Sequence, residues 1–383
     1  MSGSFIPYGR QSIDEDDIAA VVAVLRSDWL TTGPEVEAFE ADFAAATGSL
    51  EAVAVANGTA ALHAAMFALG IGPGDEVIVP AITFVATANS VLYQGGTPVF
   101  CDVEPDTLLI DVASAESRIT EHTKAIVAVD YAGQPCDYDA LRALCSRRGL
   151  ALVADACHAL GGAYKGKPVG SLADLSTFSF HPVKNMTTGE GGMVTTDDPA
   201  LAARMRTFRN HGITTDFRER ARCGTWEYAM TELGYNYRLS DIHCALGRSQ
   251  LRKLPAWIDR RRAIAAHYDA AFAETNGVSP LAVRPDRRHA YHLYVVRLTG
   301  ENHPPRTTVF DQLRAAGIGV NVHYLPVHRH PFYGALFENT GRCPIADDTY
   351  ERILSLPMFQ GLEDVDEGCV VRAIGAVVTG GGL

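Results

Sequence analysis

The chain has 383 residues, of which 47% are hydrophobic and 20% charged, a composition typical of a folded protein with one large or two smaller domains. Its 33 basic residues against 45 acidic residues give a formal net charge of -12, which disfavours nonspecific binding to nucleic acid or anionic membranes. No signal-peptide pattern opens the sequence and no apolar run reaches membrane-spanning length, so we expect a cytoplasmic protein without a membrane partner.

Helical and strand patterns alternate along the first 250 residues. Ser12 and Glu15 have the spacing of a capping box and predict a helix over SIDEDDIAAVVAVL. A second helix is predicted from Pro34 to about Ala46, ending at Gly48, because proline suits a first helical turn and glycine a helix end. Short apolar strands then alternate with helices as far as GGMVTT. This order predicts the α/β class, with a mainly parallel sheet flanked by helices.

The pattern changes after residue 250. A long helix is predicted from Leu254 to Phe272, then a strand from Ala290 to Leu298, a helix, a strand over GIGVNVHY and a closing helix near Asp364 to Val378. We therefore expect a large domain over residues 1–250 and a smaller α+β domain over residues 251–383.

Two segments follow predicted strands and carry polar groups to a sheet edge. In ANGTAALHAA, Gly58 permits close backbone approach and the helix that opens at Thr59 offers free N–H donors, an arrangement that suits a phosphate. In ALVADACHALGG, Asp155 ends a strand and His158 follows it, so a carboxylate there can hold a protonated ring nitrogen. Taken alone, an ordinary turn and a helix-capping aspartate are the commoner interpretations.

Lys184 is the only lysine of FSFHPVKNMTTGEGG, residues 178–192. Such a lysine either extends into solvent or is an amine that burial keeps reactive. Ser179 and the TTGEGG turn add donors that suit a phosphate. A phosphate site, a carboxylate for a ring nitrogen and a Schiff-base lysine are together what a pyridoxal phosphate enzyme requires.

The motifs, in their order along the chain, resemble those of the DegT-type sugar aminotransferases, which are fold type I pyridoxal phosphate enzymes. The resemblance covers essentially the whole chain and rests on LTTGPEVEAFE, NGTAALH, PAITFVATANS, DACHALGG, FSFHPVKNMTTGEGGM, HGI, ELGYNYRLSD and GIGVNVHYLPVH. It implies a fold type I architecture, pyridoxal 5'-phosphate as cofactor with pyridoxamine phosphate as its intermediate form, and a homodimer with shared active sites.

The resemblance also implies residue roles. Lys184 forms the Schiff base, Asp155 pairs with the ring nitrogen of the cofactor, and His158 lies near its phenolic oxygen. The other implied cofactor contacts are Gly58, Thr59, Ser179, Phe84, which stacks on the ring, and Asn236, which reaches the phosphate of the neighbouring subunit. The implied substrate contacts are Tyr8, Thr31, Arg238, His323 and Tyr324.

Within the family, FSFHPVK, ELGYNYRLSD and VHYLPVH are most similar to the corresponding motifs of transaminases in pseudaminic acid biosynthesis. This implies transfer of the amino group of L-glutamate to C4 of a UDP-4-keto-6-deoxy-N-acetylhexosamine. Perosamine-type enzymes and other aminotransferases of 4-keto or 3-keto nucleotide sugars share most of the motifs and stay as alternatives. The stretch Thr215 to Trp226, between HGI and ELGYNY, leaves specificity open.

Three other classes compete. The related sugar dehydratases carry histidine at the lysine position, so Lys184 disfavours them. A non-catalytic relative is disfavoured because Asp155, His158, Lys184 and Asn236 are all present, and a nicotinamide-dependent oxidoreductase is disfavoured because the first strand is followed by ANGTAALH and not GxGxxG. No metal is expected, because the cysteines form no CxxC pair and the histidine spacings match no zinc motif.

Overall fold

The computed structural model of the chain describes residues 5–215, 217–300, 303–336 and 342–380. Its helices are α1 (Glu15–Leu25), α2 (Pro34–Thr47), α3 (Gly58–Ala68), α4 (Val85–Tyr93), α5 (Val112–Ser117), α6 (Tyr138–Arg148), α7 (Pro199–Arg209), α8 (Phe217–Cys223), α9 (Asp241–Ala273), α10 (Arg306–Ala315), α11 (Pro331–Leu336), α12 (Pro344–Tyr350) and α13 (Asp364–Val378). Its strands are β1 (Glu51–Val55), β2 (Glu76–Pro80), β3 (Thr97–Cys101), β4 (Thr123–Val129), β5 (Ala151–Asp155), β6 (Ala163–Tyr164), β7 (Lys167–Pro168), β8 (Leu175–Ser179), β9 (Gly192–Thr196), β10 (Val278–Pro280), β11 (Arg287–Arg288), β12 (Tyr294–Leu298) and β13 (Ile353–Leu356).

A seven-stranded sheet in the order β1-β9-β8-β5-β4-β2-β3 forms the centre of the molecule. β9 is antiparallel to both of its neighbours, and the other strands run parallel to one another. The middle of β2, Val77 to Val79, is fully buried, as expected for a strand covered by helices on both faces. The predicted mainly parallel sheet flanked by helices is therefore confirmed.

The carboxyl ends of the parallel strands carry the polar segments that the sequence singles out. β5 ends at Asp155 and β8 at Ser179, while α3 opens at Gly58 directly after β1. α4 begins after β2, with Phe84 at its N-cap. Because parallel strands end at one edge of the sheet, residues far apart in sequence meet there.

A second, smaller core lies around the three-stranded antiparallel sheet β10-β12-β13, which packs with parts of α9, α10 and α13. The helix α9 contributes to both cores, with Leu251 and Leu254 in the first and Tyr268 and Phe272 in the second. The domain boundary expected at residue 250 therefore falls inside a continuous helix. Across the described ranges, none of the helices is both long enough and apolar enough to span a bilayer.

Three local predictions were wrong. α1 is capped by Asp14, whose side chain accepts from the N–H of Asp17 in a reciprocal capping box, and not by Ser12. α9 begins at Asp241 and not at the predicted Leu254, because Ser240 supplies the N-cap of a longer helix. This helix continues through Pro255. The segment GIGVNVHY forms no strand, since it pairs with other chain segments only at single residues.

Candidate active site

A cavity of about 600 Å³ opens at the carboxyl edge of the central sheet. It is lined by most of the residues predicted for the site: Tyr8, Gly58, Thr59, Phe84, Asp155, His158, Ser179, Lys184, His323 and Tyr324. Asn236, Thr31 and Arg238, also predicted, do not line it. The fold therefore gathers ten positions from six separate segments of the chain around one space.

One wall of the cavity is the N-terminus of α3. Asn57 caps this helix by accepting from the N–H of Ala60, and the first N–H groups of the helix have no acceptors within it. A Cβ atom on Gly58 would lie 2.8 Å from the Cβ of Ser179, so only glycine lets the helix start approach β8 this closely. Backbone donors, the helix dipole and the Ser179 hydroxyl together form a cradle for a phosphate.

The carboxylate of Asp155 is held by hydrogen bonds from two sides. Its Oδ2 accepts from Thr87 Oγ1 at 2.7 Å, and Thr87 Oγ1 lies 2.7 Å from Thr83 Oγ1. Its Oδ1 accepts from the N–H of Cys157 at 3.3 Å. These hydrogen bonds fix the direction of the carboxylate.

Lys184 lies in the cavity wall, partly buried, on the loop that follows β8. Burial lowers the pKa of its amine, and the nearby Cys157 and Asp155 oppose this shift only in part. A lowered pKa increases the fraction of neutral, nucleophilic amine at a given pH. The side chain makes no ion pair with any residue in the described ranges of the chain.

His158 and Tyr324 form a hydrogen-bonded pair in the cavity. The Nδ1 of His158 accepts from the N–H of Ala132 at 3.3 Å, which assigns the ring proton to Nε2, 3.0 Å from the Tyr324 hydroxyl. Burial first, and then the charges of Lys184 and His323, hold the pKa of His158 well below its usual value. The imidazole is therefore neutral and donates to Tyr324, whose own hydroxyl hydrogen is free for another acceptor.

His323 and two aromatic rings complete the outer wall. The Nδ1 of His323 lies 2.8 Å from Ser355 Oγ, and its ring centroid is 5.7 Å from that of Tyr8. Burial lowers the pKa of His323 to about 3. Phe84 is 54% exposed, with its ring centroid 5.9 Å from that of Tyr324, so its apolar face is available to a planar ligand.

The three predicted residues outside the cavity lie near one another. Thr31 pairs through its backbone with Ser240, and Asn236 pairs in the same way with Asn210. Arg238 donates to the side-chain oxygen of Asn210 at 3.0 Å and lines a separate pocket of about 330 Å³. Burial and the neighbouring Arg209 lower the pKa of Arg238.

The cavity also includes residues that sequence reasoning gave no role or assigned elsewhere. Glu190 lines the cavity, and its backbone carbonyl accepts from Thr188 Oγ1. His292 is a further residue of the cavity wall. Asn57, Cys157, His181 and Asn321 line the cavity as well. Thr87, which holds Asp155 from behind the cavity wall, lies four residues after Thr83, a spacing that could have indicated the hydrogen bond between their hydroxyls.

Comparison with known proteins supports the family that the motifs indicate. The sequence profile of the DegT/DnrJ/EryC1/StrS aminotransferase family matches residues 11–375. The spore coat polysaccharide biosynthesis protein SpsC of Bacillus subtilis is 41% identical over 380 residues, covering 98% of both chains.

Solved structures are similar over the same length. Spr1654 of Streptococcus pneumoniae, provisionally named a sugar aminotransferase, superposes in its PMP form with a TM-score of 0.92 at 35% identity, covering 98% of this chain and 99% of that one. The same protein in its PLP form has a TM-score of 0.92 at 34% identity. PseC of Helicobacter pylori, an aminotransferase of pseudaminic acid biosynthesis, superposes with a TM-score of 0.91 at 33% identity. The match covers 98% of this chain and 100% of PseC.

Proposed function

Because the chain belongs to the DegT/DnrJ/EryC1/StrS aminotransferase family, we propose that it transfers an amino group from L-glutamate to the keto carbon of a nucleotide-linked sugar, with pyridoxal phosphate as cofactor. The observation that carries this proposal is the position of Lys184 in one cavity with the Asp155 carboxylate and the phosphate cradle at Gly58. These are the three groups that pyridoxal phosphate chemistry requires of a protein.

The residues present fit the cofactor. The close approach of Gly58 to Ser179, together with the start of α3, suits the phosphate group. Asp155, held by Thr87, would pair with the ring nitrogen, and Phe84 presents an exposed ring to stack on the cofactor. When bound, pyridoxal phosphate supplies an aldehyde that condenses with amines and a protonated ring that accepts an electron pair.

The chain's own groups move the proton. Lys184, once its amine is free and neutral, takes the proton from the alpha carbon of glutamate in the first half-reaction and delivers a proton to the sugar carbon in the second. Asp155, oriented by Thr87, would stay beside the ring nitrogen of the cofactor throughout. His158 and Tyr324 direct a hydroxyl hydrogen toward a nearby ligand oxygen. The sum is glutamate plus keto sugar giving 2-oxoglutarate plus aminosugar.

For the sugar, we propose C4 of a UDP-4-keto-6-deoxy-N-acetylhexosamine, the substrate class of the pseudaminic acid pathway. Support comes from the similarity to PseC over the full chain and from the VHYLPVH segment, whose His323 and Tyr324 line the cavity beside Tyr8. Perosamine-type and other keto-sugar enzymes are the alternative. A panel of UDP-, GDP- and dTDP-linked 4-keto and 3-keto sugars, assayed with glutamate and followed by mass, decides between them.

We further propose a homodimer in which Asn236 and Arg238 of one subunit complete the cavity of the other, with Thr31 in the same region. Arg238 is half-buried and forms no ion pair with any carboxylate of the described residues, which leaves a cation for an anionic group. Large apolar side chains beside this region are exposed, as at an uncovered interface: Trp226, Tyr228, Met230, Leu233 and Tyr235.

Replacing Lys184 tests the mechanism. Lys184→Ala should abolish turnover, by at least about 10³-fold, because the variant loses both the condensing amine and the proton carrier. The measurements are turnover and mass spectrometry of the peptide after borohydride reduction of the cofactor-loaded protein. Lys165→Ala is the matched control, since Lys165 is an exposed lysine paired with Asp139. Trapped cofactor on a residue other than Lys184, or turnover in Lys184→Ala, would refute the mechanism.

Replacing Asn236 tests the shared site. Asn236→Ala should weaken cofactor affinity about tenfold, the loss of roughly one hydrogen bond to a charged group, while the dimer mass persists. Cofactor titration and analytical ultracentrifugation provide the two measurements. If a monomeric wild-type preparation binds the cofactor as tightly as the dimer does, the contact across subunits is ruled out.

A further inference from the structure

His292 is a buried histidine of the cavity wall that no step above uses. It is 5% exposed, and its ring centroid lies 4.4 Å from that of His158 with the two planes tilted by 49°. Its Nδ1 is sealed from solvent and has no hydrogen-bond partner in the described part of the chain. Its Nε2 makes no hydrogen bond to any described residue either. Unlike Nδ1, this atom is accessible, so it is open to the cavity that His292 lines.

The charge state of His292 follows from its surroundings. Burial above all, with a smaller effect of the neighbouring Lys184 and His158 side chains, holds its pKa well below the usual value, so the ring is neutral and carries one N–H. A buried N–H without an acceptor is rare because it loses its full hydration. The proton therefore belongs on Nε2, and His292 presents a donor to the cavity.

The backbone around His292 is tied to the turn that orients His158. Ala132 has a φ of 58°, in the left-handed region, and its N–H donates to Nδ1 of His158. The carbonyl of the same residue accepts from the N–H of Leu293 at 3.1 Å, and the carbonyl of Gly133 accepts from Ala290 at 2.8 Å. A strained non-glycine residue persists only where surrounding contacts require it, so one turn holds both histidines in register.

Arg261 holds the other side of this segment. Its fully buried guanidinium donates to the carbonyls of Tyr291 and Met358, each at 3.0 Å, and to that of His292 at 3.5 Å. None of the carboxylates in the described ranges pairs with it. Burying a cation without a counter-ion is costly. The hydrogen bonds that Arg261 donates to these carbonyls fix the backbone at His292.

We propose that His292 is a further ligand-binding residue of this cavity, whose Nε2–H donates a hydrogen bond to an oxygen atom of the bound ligand. The acceptor belongs to one of two sources, the cofactor ring or the nucleotide sugar, and the chemistry is the same for both. The inference rests on the proposed function and adds to it one hydrogen bond between the protein and a bound ligand.

The test compares two replacements at position 292. His292→Phe keeps a ring beside His158 and removes the donor, whereas His292→Gln restores a donor of similar reach. We expect His292→Phe to weaken ligand binding about tenfold and His292→Gln to recover most of it, as for one buried hydrogen bond. If His292→Phe does not fold, His292→Met takes its place.

Two readouts identify the acceptor. Loss of affinity for pyridoxal phosphate, with a shifted pH midpoint of its visible absorption, assigns the contact to the cofactor. A weakened calorimetric Kd for the nucleotide sugar that the wild type turns over, with cofactor affinity unchanged, assigns it to the sugar. Either result supports the proposal.

The control is His289→Phe. His289 is buried in the same segment, its Nδ1 accepts from the N–H of Tyr291 at 2.9 Å, and it does not line this cavity. We expect His289→Phe to lower thermal stability without changing either affinity. The proposal is overturned if His292→Phe binds both ligands as the wild type does, or if His292→Gln and His289→Phe are impaired as much as His292→Phe. A wild type without Lys184-dependent turnover counts against the proposed function instead.

Discussion

Asp155 shows how much of the site depends on the neighbours of a single residue. The strand end and the following histidine draw attention to Asp155 in the sequence. The hydroxyl that orients its carboxylate, however, comes from Thr87 on α4. Thr87 is itself fully buried and bonded to Thr83, so its donor has no access to water. Such outer partners commonly control the orientation of a functional carboxylate.

We therefore expect Thr87→Val to lower cofactor affinity and turnover about tenfold. Valine has nearly the shape of threonine but leaves Asp155 Oδ2 without its donor, which weakens the pairing with a protonated nitrogen. Cofactor titration by absorbance, at several pH values, measures the change.

Ser90→Ala on the same helix is the control, because the buried Ser90 hydroxyl donates only to the Thr87 carbonyl. An equal loss in both variants would mean that helix packing, and not the hydrogen bond to Asp155, causes the effect.

At the scale of elements, the junction between α2 and α9 explains two motifs together. The carboxylate of Asp241, the first residue of α9, accepts from the N–H of Gly33 at 2.8 Å and of Glu35 at 3.0 Å. It thus caps α2 although 208 residues separate it from Gly33 in the sequence. LTTGPE and RLSD are therefore two halves of one structural contact.

Gly33 is required at this junction because a Cβ there would lie 2.5 Å from Asp241 Oδ1 and 2.6 Å from the Cβ of Trp29. We expect Gly33→Ala to lower the free energy of unfolding by about 1–3 kcal/mol, the usual cost of overpacking. Urea unfolding followed by circular dichroism gives the value.

Gly72→Ala serves as the comparison, since an added Cβ there meets nothing within 4 Å. It should change stability by no more than about 0.5 kcal/mol. Equal stability of the two variants would show that the junction relaxes around the extra methyl group.

At the scale of the whole molecule, several histidines are buried in the neutral form. Burial lowers the pKa of His63 to about 4 and that of His289 and His323 to about 3, against an ordinary value of 6.5. Below pH 6.5 the unfolded chain binds protons that the folded chain excludes, so each histidine makes the fold less stable as pH falls toward its folded pKa. Asp130 acts in the opposite direction, because burial raises its pKa to about 7 and the folded state holds its proton longer.

We expect the free energy of unfolding to fall by roughly 5 kcal/mol between pH 7.5 and pH 5.5. Five buried histidines, the three above with His158 and His292, each contribute about 1.4 kcal/mol over this interval, and Asp130 offsets about 2 kcal/mol. Urea titrations at the two pH values measure it. His63→Gln, whose amide can still reach Tyr237 and Gln94, should reduce the drop by about 1.4 kcal/mol. A drop of the same size in wild type and His63→Gln would exclude burial of His63 as a cause.

The sequence by itself determined the class of the fold and the family, because strand and helix periodicity and motifs such as FSFHPVKNMTTGEGG are properties of short segments. It also singled out Asp155 and Lys184, which line one cavity, since Asp155 ends an apolar strand and Lys184 lies on the loop after another. Local reasoning failed at the start of α1, where Asp14 and not Ser12 supplies the cap, and at GIGVNVHY, whose apolar alternation finds no continuous partner strand.

Only the tertiary structure decided the contacts between distant segments. His292 meets His158, Thr87 meets Asp155, and Asp241 meets Gly33 because the order of strands in the sheet and the path of α9 bring those backbones together. No local pattern encodes such contacts, since their distances depend on how whole elements pack. The physical reason is that periodicity reports which face of an element is buried, whereas topology determines what lies opposite that face.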